Sequence, residues 1–508
     1  MTRHRVAVVG GGLAGIAAAL AAADGGAAVT VVERRSHLGG LTWSFRRNGR
    51  SFDNGQHVFL RCCTEYRGFL DRIGAAGQTH LQPRLDIPVL SPGGGRADIT
   101  RTNLPSPLHL AGALLRYRHL SLADRARLGR PTLALRRLRL DDPALDDETF
   151  GSWLARHGQR PAAIEKLWDL ITLPTVNVPA SDASLALAAK VFRTGLLDHA
   201  DGADVGWSTV PLGELHGANA ARALAAAGVD VRVGTTVDRL AVGSRAGGRD
   251  SAVTLTVRPA GAAEPAGAGG LAGAAEPAGA ARPAGAAAAS RVATAAGPTG
   301  ARRAAEVIEA DAVIVATPPD VAAALLPAGA LPAVTGLGTS PIVNVHLVFD
   351  RHVTDLPLAA AVDSPVQFVF DHTAAAGMDP DGPEQCLVVS LSAADAFIGG
   401  RPDDLVRTFH DALGDLFPAA RRAGLVDGVV SREHTATFRG RPGTAALRPS
   451  STTSLPGLAG VLVAGAWCDT GWPATMEGAV RSGTDAARAA LRNSTNSSEP
   501  CELQETTA

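Results

Sequence analysis

The sequence predicts an α/β protein: a Rossmann-type nucleotide-binding domain assembled from separated stretches of chain, with an α+β second domain. Three observations predict it. Arg5 to Gly40 reads strand, glycine turn, alanine-rich helix, strand; a second apolar strand, Gly460 to Gly465, precedes a helix near the other end of the chain; and between them lie a Leu/Arg/Asp-rich region at helical spacing and several short strand-like runs.

The 508 residues and 51.8 kDa are enough for two domains with large cores. With 48 basic against 49 acidic residues the formal net charge is -1, which provides no global field for phosphate backbones and argues against a nucleic-acid partner. The five cysteines, Cys62, Cys63, Cys386, Cys468 and Cys501, contain no C-x-x-C pair and suggest neither a zinc site nor a disulfide framework. A reducing cytoplasm is therefore expected.

Val6 to Ala23 is apolar, but Gly10, Gly11, Gly12 and Gly15 interrupt it and Val29 to Glu33 resumes a strand, so a βαβ unit is expected and a spanning helix is not. Residues 1–82 open the nucleotide-binding domain. Residues 83–204, punctuated by Pro88, Pro105, Pro107, Pro131, Pro143, Pro161, Pro174 and Pro179, read as a mainly helical part of the substrate domain. Within it, Arg116, Arg118, Arg125, Arg127, Arg130, Arg136, Arg137 and Arg139 alternate with leucines, a pattern that fits either a solvated helix face or peripheral contact with anionic lipid.

Residues 205–258 return to the nucleotide-binding domain with a helix over Leu212 to Ala227 and strands at Val229 to Val233 and Val253 to Val257. The Ala/Gly/Pro tract 259–305 carries almost no large apolar side chain and is expected to be a disordered extension of a hairpin running from Val253–Val257 to Ala312–Ala316. Residues 306–325 and 455–492 complete the nucleotide-binding domain. The runs Ile342 to Phe349, Val366 to Phe370 and Cys386 to Ser392 place an antiparallel sheet in the substrate domain, 326–454. A disordered tail is expected over 493–508.

Gly10-Gly11-Gly12-Leu13-Ala14-Gly15 satisfies G-x-G-x-x-G between a strand and a helix, and Glu33 ends the next strand. Gly10 serves the tight turn, Gly12 lets backbone approach a pyrophosphate, Gly15 permits close packing, and Glu33 can accept from a ribose diol. An acid there favours FAD or NAD over a 2′-phosphorylated cofactor. FAD is favoured by Arg35 and Gly39-Gly40 after the second strand and by the distant helix start Thr475-Met476-Glu477-Gly478, which could stabilise an anionic reduced flavin.

Val6 to Gly40, the block Phe52-Asp53-Asn54-Gly55-Gln56-His57-Val58-Phe59 and the block Gly471 to Gly483 resemble the flavin amine oxidase and phytoene desaturase superfamily; the last two blocks are most similar to the hydroxysqualene dehydroxylases. The resemblance implies that Gly10, Gly12, Leu13, Ala14, Gly15, Glu33, Arg34, Arg35, Gly39, Gly40 and Leu41 hold the ADP part of FAD and that Val237 contacts adenine. It also implies that Gly55, Gln56 and His57, with Gly465, Ala466, Thr475, Met476 and Glu477, surround the flavin. Leu41 and Ala466 depart from the family pattern of Arg and Asp at those positions, leaving Arg46, Arg61 or Asp469 to compensate.

The implied reaction is reductive loss of an allylic hydroxyl, hydroxysqualene to squalene, with hydride from reduced FAD, an external reductant such as NAD(P)H, and a dry apolar channel. His57, Asp53 and Asp469 are the candidate acids, each with a structural alternative: a backbone hydrogen bond, a turn cap, or a cofactor contact. An oxidative phytoene-type desaturase or amine oxidase, and a non-enzymatic isoprenoid-binding flavoprotein, stay open beside it. Localisation is expected in the cytoplasm or on the inner face of the membrane.

Overall fold

A computed structural model describes residues 3–244, 251–260 and 305–496. Its central sheet has five parallel strands in the order Asp230–Arg232, Ala28–Val32, Arg5–Val9, Ala312–Val315, Val461–Val463. Runs such as Val6-Ala7-Val8-Val9 and Ala312-Val313-Ile314-Val315 are almost wholly buried, as required of strands covered on both faces. The strand order reverses at Arg5–Val9, so the crevice beyond the carboxyl ends of Arg5–Val9 and Ala312–Val315 is the topological position for a ligand. The sheet is thus the discontinuous Rossmann-type domain that the sequence predicts.

Helices Leu13–Asp24 and Met476–Asn496 pack together at very close range. A Cβ on Gly15 would lie 1.9 Å from the Gly10 carbonyl oxygen, and one on Gly483 would lie 2.0 Å from that of Ala14. Gly483 therefore sets the distance at which the chain's first and last long helices meet, and Gly15 the fit of the first helix against the glycine turn.

Two expectations about strands change. Ser251–Pro259 pairs antiparallel with Thr235–Ser244 and with Glu306–Ala310, not with Ala312–Val315, which belongs to the parallel sheet. The two runs around Asp311 are adjacent in sequence and both apolar, so pattern alone does not separate them. The greater part of the Ala/Gly/Pro tract, 261–304, lies outside the described residues, as do 497–508; the terminal helix continues to Asn496, four residues into the expected tail.

The substrate domain holds a seven-stranded sheet in the order Leu425–Thr437, Ser340–Phe349, Gln385–Leu391, Phe368–Asp371, Leu358–Ala361, Asp86–Ser91, Gly95–Thr100. Its last two strands come from the region expected to be helical. Ile87 and Val89 alternate against Ala97 and Ile99 across a turn at Gly93 and Gly94, both at positive φ, and the prolines around this hairpin obscured the period-two signal. The sheet is also mixed, because Leu358–Ala361 pairs parallel with Asp86–Ser91. From Leu108 to Leu197 the chain is helical as expected and forms a cap over the sheet, with Tyr117, Phe150 and Leu154 fully buried.

Candidate active site

The glycine loop is built around Glu33. Its carboxylate accepts from the Gly11 N–H at 2.6 Å and the Arg35 N–H at 2.7 Å, so the end of the second strand is tied to the loop after the first. The Arg35 guanidinium donates to the Gly40 carbonyl at 2.7 Å, and the Gly39 N–H donates to the Gly11 carbonyl at 2.9 Å. Gly10 sits at φ +109°, and a Cβ on Gly40 would lie 2.8 Å from the Gly12 Cα, so this double loop admits no side chain where backbone is stacked on backbone. Gly12 caps its helix without any side-chain hydrogen bond and no acid occupies the first turn at Leu13 and Ala14, which leaves the helix terminus suited to a pyrophosphate.

Val237 lies beside this loop: the Thr235 N–H donates to the Glu33 carbonyl at 2.9 Å, and the strand bulges between Val237 and Arg239. Arg34 points to solvent and Leu41 is exposed. Each of the three residues offered as compensation for Leu41 and Ala466 has its side chain engaged by protein groups. Arg61 is taken by Asp204 at 2.9 Å, Arg46 donates to Gly49 in an exposed hairpin, and Asp469 caps a turn. Arg35 is the cation that the fold places at the loop.

The second block is fastened from both ends of the chain. Glu477 is buried and accepts from the Tyr66 N–H at 2.8 Å, the Glu65 N–H at 3.3 Å and Arg481 Nε at 2.7 Å, which fixes its carboxylate at the start of helix Thr64–Arg72. Thr475 Oγ accepts from the Gly478 N–H at 3.2 Å and caps the helix that begins at Met476, and the Gly465 N–H donates to Ser482 Oγ at 2.8 Å. Arg448, which pattern reasoning did not single out, is buried and donates to the carbonyls of Trp467, Cys468 and Trp472, so it shapes the loop between Gly465 and Thr475. Gln56 is held through its N–H by Asn344 Oδ1 at 3.1 Å.

Gln56, Thr475, Met476 and Glu477 meet at a cavity of about 310 Å³ whose wall is otherwise mostly Leu, Ile, Val, Phe and Trp, much of it from the helical cap and the seven-stranded sheet, with a few polar groups among them, including Thr132, Thr175, Ser390, Ser392 and His109. Phe368, Trp168, Ile171 and Leu196 are typical of it. The sheet and helical cap of the substrate domain and the two motif blocks of the nucleotide-binding domain therefore share one apolar space.

The three candidate acids do not line it. Asp53 is buried behind the block: it accepts from Ser44 Oγ at 2.5 Å and the Leu212 N–H at 3.1 Å and lies 3.3 Å from His372 Nε2. Burial pushes its carboxyl up, opposed mainly by His372. His57 donates from Nδ1 to the Gly55 carbonyl at 2.8 Å, and burial pushes its imidazole down. Asp469 is more than half exposed, accepts from the Gly471 N–H at 3.1 Å and stands 4.0 Å from Arg448. His57 makes the backbone hydrogen bond that its alternative names, whereas Asp53 is held by Ser44, Leu212 and His372 and Asp469 caps a turn; no pattern in the sequence distinguished them from groups facing the cavity.

The flavin containing amine oxidoreductase family matches residues 13–263 and 290–491. The chain belongs to this family. A hydroxysqualene dehydroxylase of Sinorhizobium fredii is 35% identical over 186 residues, 36% of this chain and 39% of its own length. A zeta-carotene desaturase of Solanum lycopersicum is 31% identical over 204 residues, 37% of this chain and 34% of its own. These matches span well under half of either relative. A hydroxysqualene dehydroxylase of Zymomonas mobilis is 23% identical over 491 residues, 96% of this chain and 99% of its own. Among solved structures, a redesigned putrescine oxidase superposes with a TM-score of 0.64 at 17% identity, covering 97% of this chain and 100% of that one. A putative protoporphyrinogen oxidase from Exiguobacterium gives 0.64 at 16% identity, covering 97% and 99%.

As a flavin amine oxidoreductase the chain uses FAD, and its residues fit that group. Gly10, Gly12, Gly15, Glu33, Gly39 and Gly40 form the backbone cradle. Around the other block, Trp43 Nε1, Gln56 Oε1 and Asn344 Nδ2 are buried polar atoms with no hydrogen-bond partner among the described residues, as expected where a polar ring system is to be received.

Proposed function

We propose that this flavoenzyme is a hydroxysqualene dehydroxylase that reductively removes an allylic hydroxyl to give squalene. The observation that carries the reading is the single apolar cavity walled jointly by the motif blocks and the helical cap. The full-length similarity to the Zymomonas enzyme, against partial similarity to the desaturases, favours dehydroxylation over desaturation. In balance, the alcohol gains a hydride and a proton and loses water.

The hydride would come from FAD bound by these residues and reduced by an external donor such as NAD(P)H. The chain's own residues supply the rest. The Gly10–Gly15 and Gly39–Gly40 backbones and Glu33 hold the dinucleotide; Gln56 and the turn Thr475-Met476 flank the cavity at the flavin end. The apolar wall keeps water from an allylic cation, which water would quench. Asp53 acts as a positioning residue that fixes the block against Ser44 and Leu212, His57 bonds within it to the Gly55 carbonyl, and the Gln56 N–H ties it to Asn344. Anaerobic mixing of the photoreduced protein with hydroxysqualene tests the direction: return of oxidised-flavin absorbance without oxygen is expected. If instead only oxidised protein responds to substrate, the reading is overturned in favour of a desaturase.

We infer also that the cap rests on the inner face of an anionic membrane. Leu104, Leu108, Leu115, Leu122 and Leu133, each 52–77% exposed, are the only leucines more than half exposed among the described residues. Around them Arg116, Arg118, Arg130, Arg136 and Arg137 are exposed and have no carboxylate within salt-bridge distance among the described residues. The same segments present Leu110, Leu114, Leu128 and Leu135 to the cavity, so lipid-facing and substrate-facing surfaces are two sides of one element. No helix among the described residues is long and apolar enough to cross a membrane.

A further inference from the structure

Among the polar groups of the cavity wall that the roles assigned so far do not use, one has buried side-chain nitrogens without a hydrogen-bond partner among the described residues. His109 sits on the short turn Leu108–Leu110, is 1% exposed to solvent, and lines the cavity among Pro107, Leu110 and Leu114. Neither ring nitrogen, Nδ1 nor Nε2, has a hydrogen-bond partner among the described residues. Its backbone is the opposite: the His109 carbonyl accepts from the Thr102 N–H at 2.8 Å and from Thr102 Oγ at 3.2 Å, and Ser106 Oγ ties the same turn to the Leu197 carbonyl at 2.7 Å. The fold thus fixes the turn and leaves the imidazole unsatisfied in an apolar wall. A buried polar group without a partner is costly, and it persists where something outside the protein completes it.

The chemistry of the ring states what that something is. Burial and the nearby Arg101 guanidinium push the His109 imidazole down, against the weaker pull of Asp204, so the ring is neutral near pH 7. A neutral imidazole offers one donor and one acceptor, either of which a hydroxyl can engage without bringing a charge into the apolar wall. We propose that His109 is the hydrogen-bonding anchor for the hydroxyl of an isoprenoid alcohol held in this cavity. The proposal rests on the isoprenoid reading of the site and adds to it the residue that distinguishes alcohol from hydrocarbon. It also gives the product a route out, because squalene lacks the hydroxyl and leaves His109 unpaired again.

The test is equilibrium binding to the oxidised, FAD-loaded protein, read from perturbation of flavin absorbance, with hydroxysqualene and squalene as the two probes. Wild-type protein is expected to bind hydroxysqualene about tenfold more tightly than squalene, the weight of one or two buried hydrogen bonds. His109→Phe should bring that ratio close to one while squalene binds as well as before, and His109→Gln, which keeps a donor and an acceptor, should restore part of it. A ratio unchanged in His109→Phe overturns the proposal, as does wild-type protein that binds both probes equally. If neither probe binds, the isoprenoid reading fails together with this one; equal binding of both leaves that reading standing and removes only His109. A fall in affinity for both probes alike in His109→Phe and His109→Gln would show a structural role and likewise count against the anchor.

Discussion

The Glu477 carboxylate accepts a 2.8 Å hydrogen bond from the backbone N–H of Tyr66, 411 residues away in the chain. Glu477 begins the last helix and Tyr66 lies in the first turn of Thr64–Arg72, so one buried acid joins the C-terminal block to the segment that follows the Asp53–His57 block. Its other contacts, Arg481 Nε and the Glu65 N–H, bring a side chain and a second backbone amide to the same carboxylate.

Replacing this acid should therefore cost stability as well as FAD. Glu477→Ala leaves two helix amides and Arg481 unpaired and should destabilise the protein by about 3 kcal/mol, and Glu477→Gln by about 1–2 kcal/mol. Urea unfolding, with FAD content measured in parallel, checks this. A loss below about 0.5 kcal/mol for Glu477→Ala would show that the two blocks hold together without the acid.

Asp53 and His57 face away from the cavity, so neither should behave as a proton donor. With FAD occupancy verified, Asp53→Asn and His57→Ala are expected to lower kcat by less than about tenfold, whereas loss of a general acid typically costs about a hundredfold or more. A drop of that larger size in either variant would place its side chain in the chemistry.

The arrangement of these blocks could be read from the sequence to a limited depth. The G-x-G-x-x-G turn, Glu33 and the alternation of strand and helix carry strong local signals because Gly10 and Gly15 are required by backbone contact, and the structure brings Gly10, Gly12, Gly15, Gly39 and Gly40 together. The hairpin Asp86–Thr100 was hidden because prolines and glycines read as loop punctuation even when the flanking residues pair. The orientation of Asp53 depends on a contact with Leu212, 159 residues away, which no local spacing encodes; His57, Asp469 and Arg448 are held by nearer backbone partners, and which side chains reach the cavity wall, His109 among them, is set by the packing of separate elements.

Asp169 gives the protein an acid-side pH signature. Burial pushes its carboxyl up to about 6, with the Ala180 N–H at 2.6 Å partly offsetting. A raised folded-state value means that the native protein holds this proton while the unfolded chain releases it, so Asp169 favours folding below its unfolded pKa and the advantage is lost as pH rises toward 6. Asp169→Asn, which cannot ionise, should gain about 2 kcal/mol relative to wild type between pH 4 and pH 6.5. Denaturation curves at the two pH values decide it; an unchanged difference would mean that the carboxyl titrates normally.

The exposed leucines and unpaired arginines of the cap predict selective lipid binding. In sedimentation with vesicles, the protein should bind phosphatidylglycerol-containing membranes and not pure phosphatidylcholine, and Arg130→Glu/Arg136→Glu/Arg137→Glu should weaken partitioning at least about tenfold. Leu115→Ser/Leu122→Ser should weaken it also, without altering turnover of detergent-dispersed substrate, since neither residue lines the cavity. Equal binding to both vesicle types would remove the electrostatic part of the account, and no binding to either would remove the membrane altogether.

The central claim is that a hydride from FAD meets an isoprenoid alcohol in the apolar space between the motif blocks and the helical cap. Its most direct test is the product mass after the anaerobically reduced protein is given hydroxysqualene, with phytoene as the comparison. Squalene from hydroxysqualene and unchanged phytoene is the predicted result; recovery of hydroxysqualene unaltered, with the flavin still reduced, would contradict it.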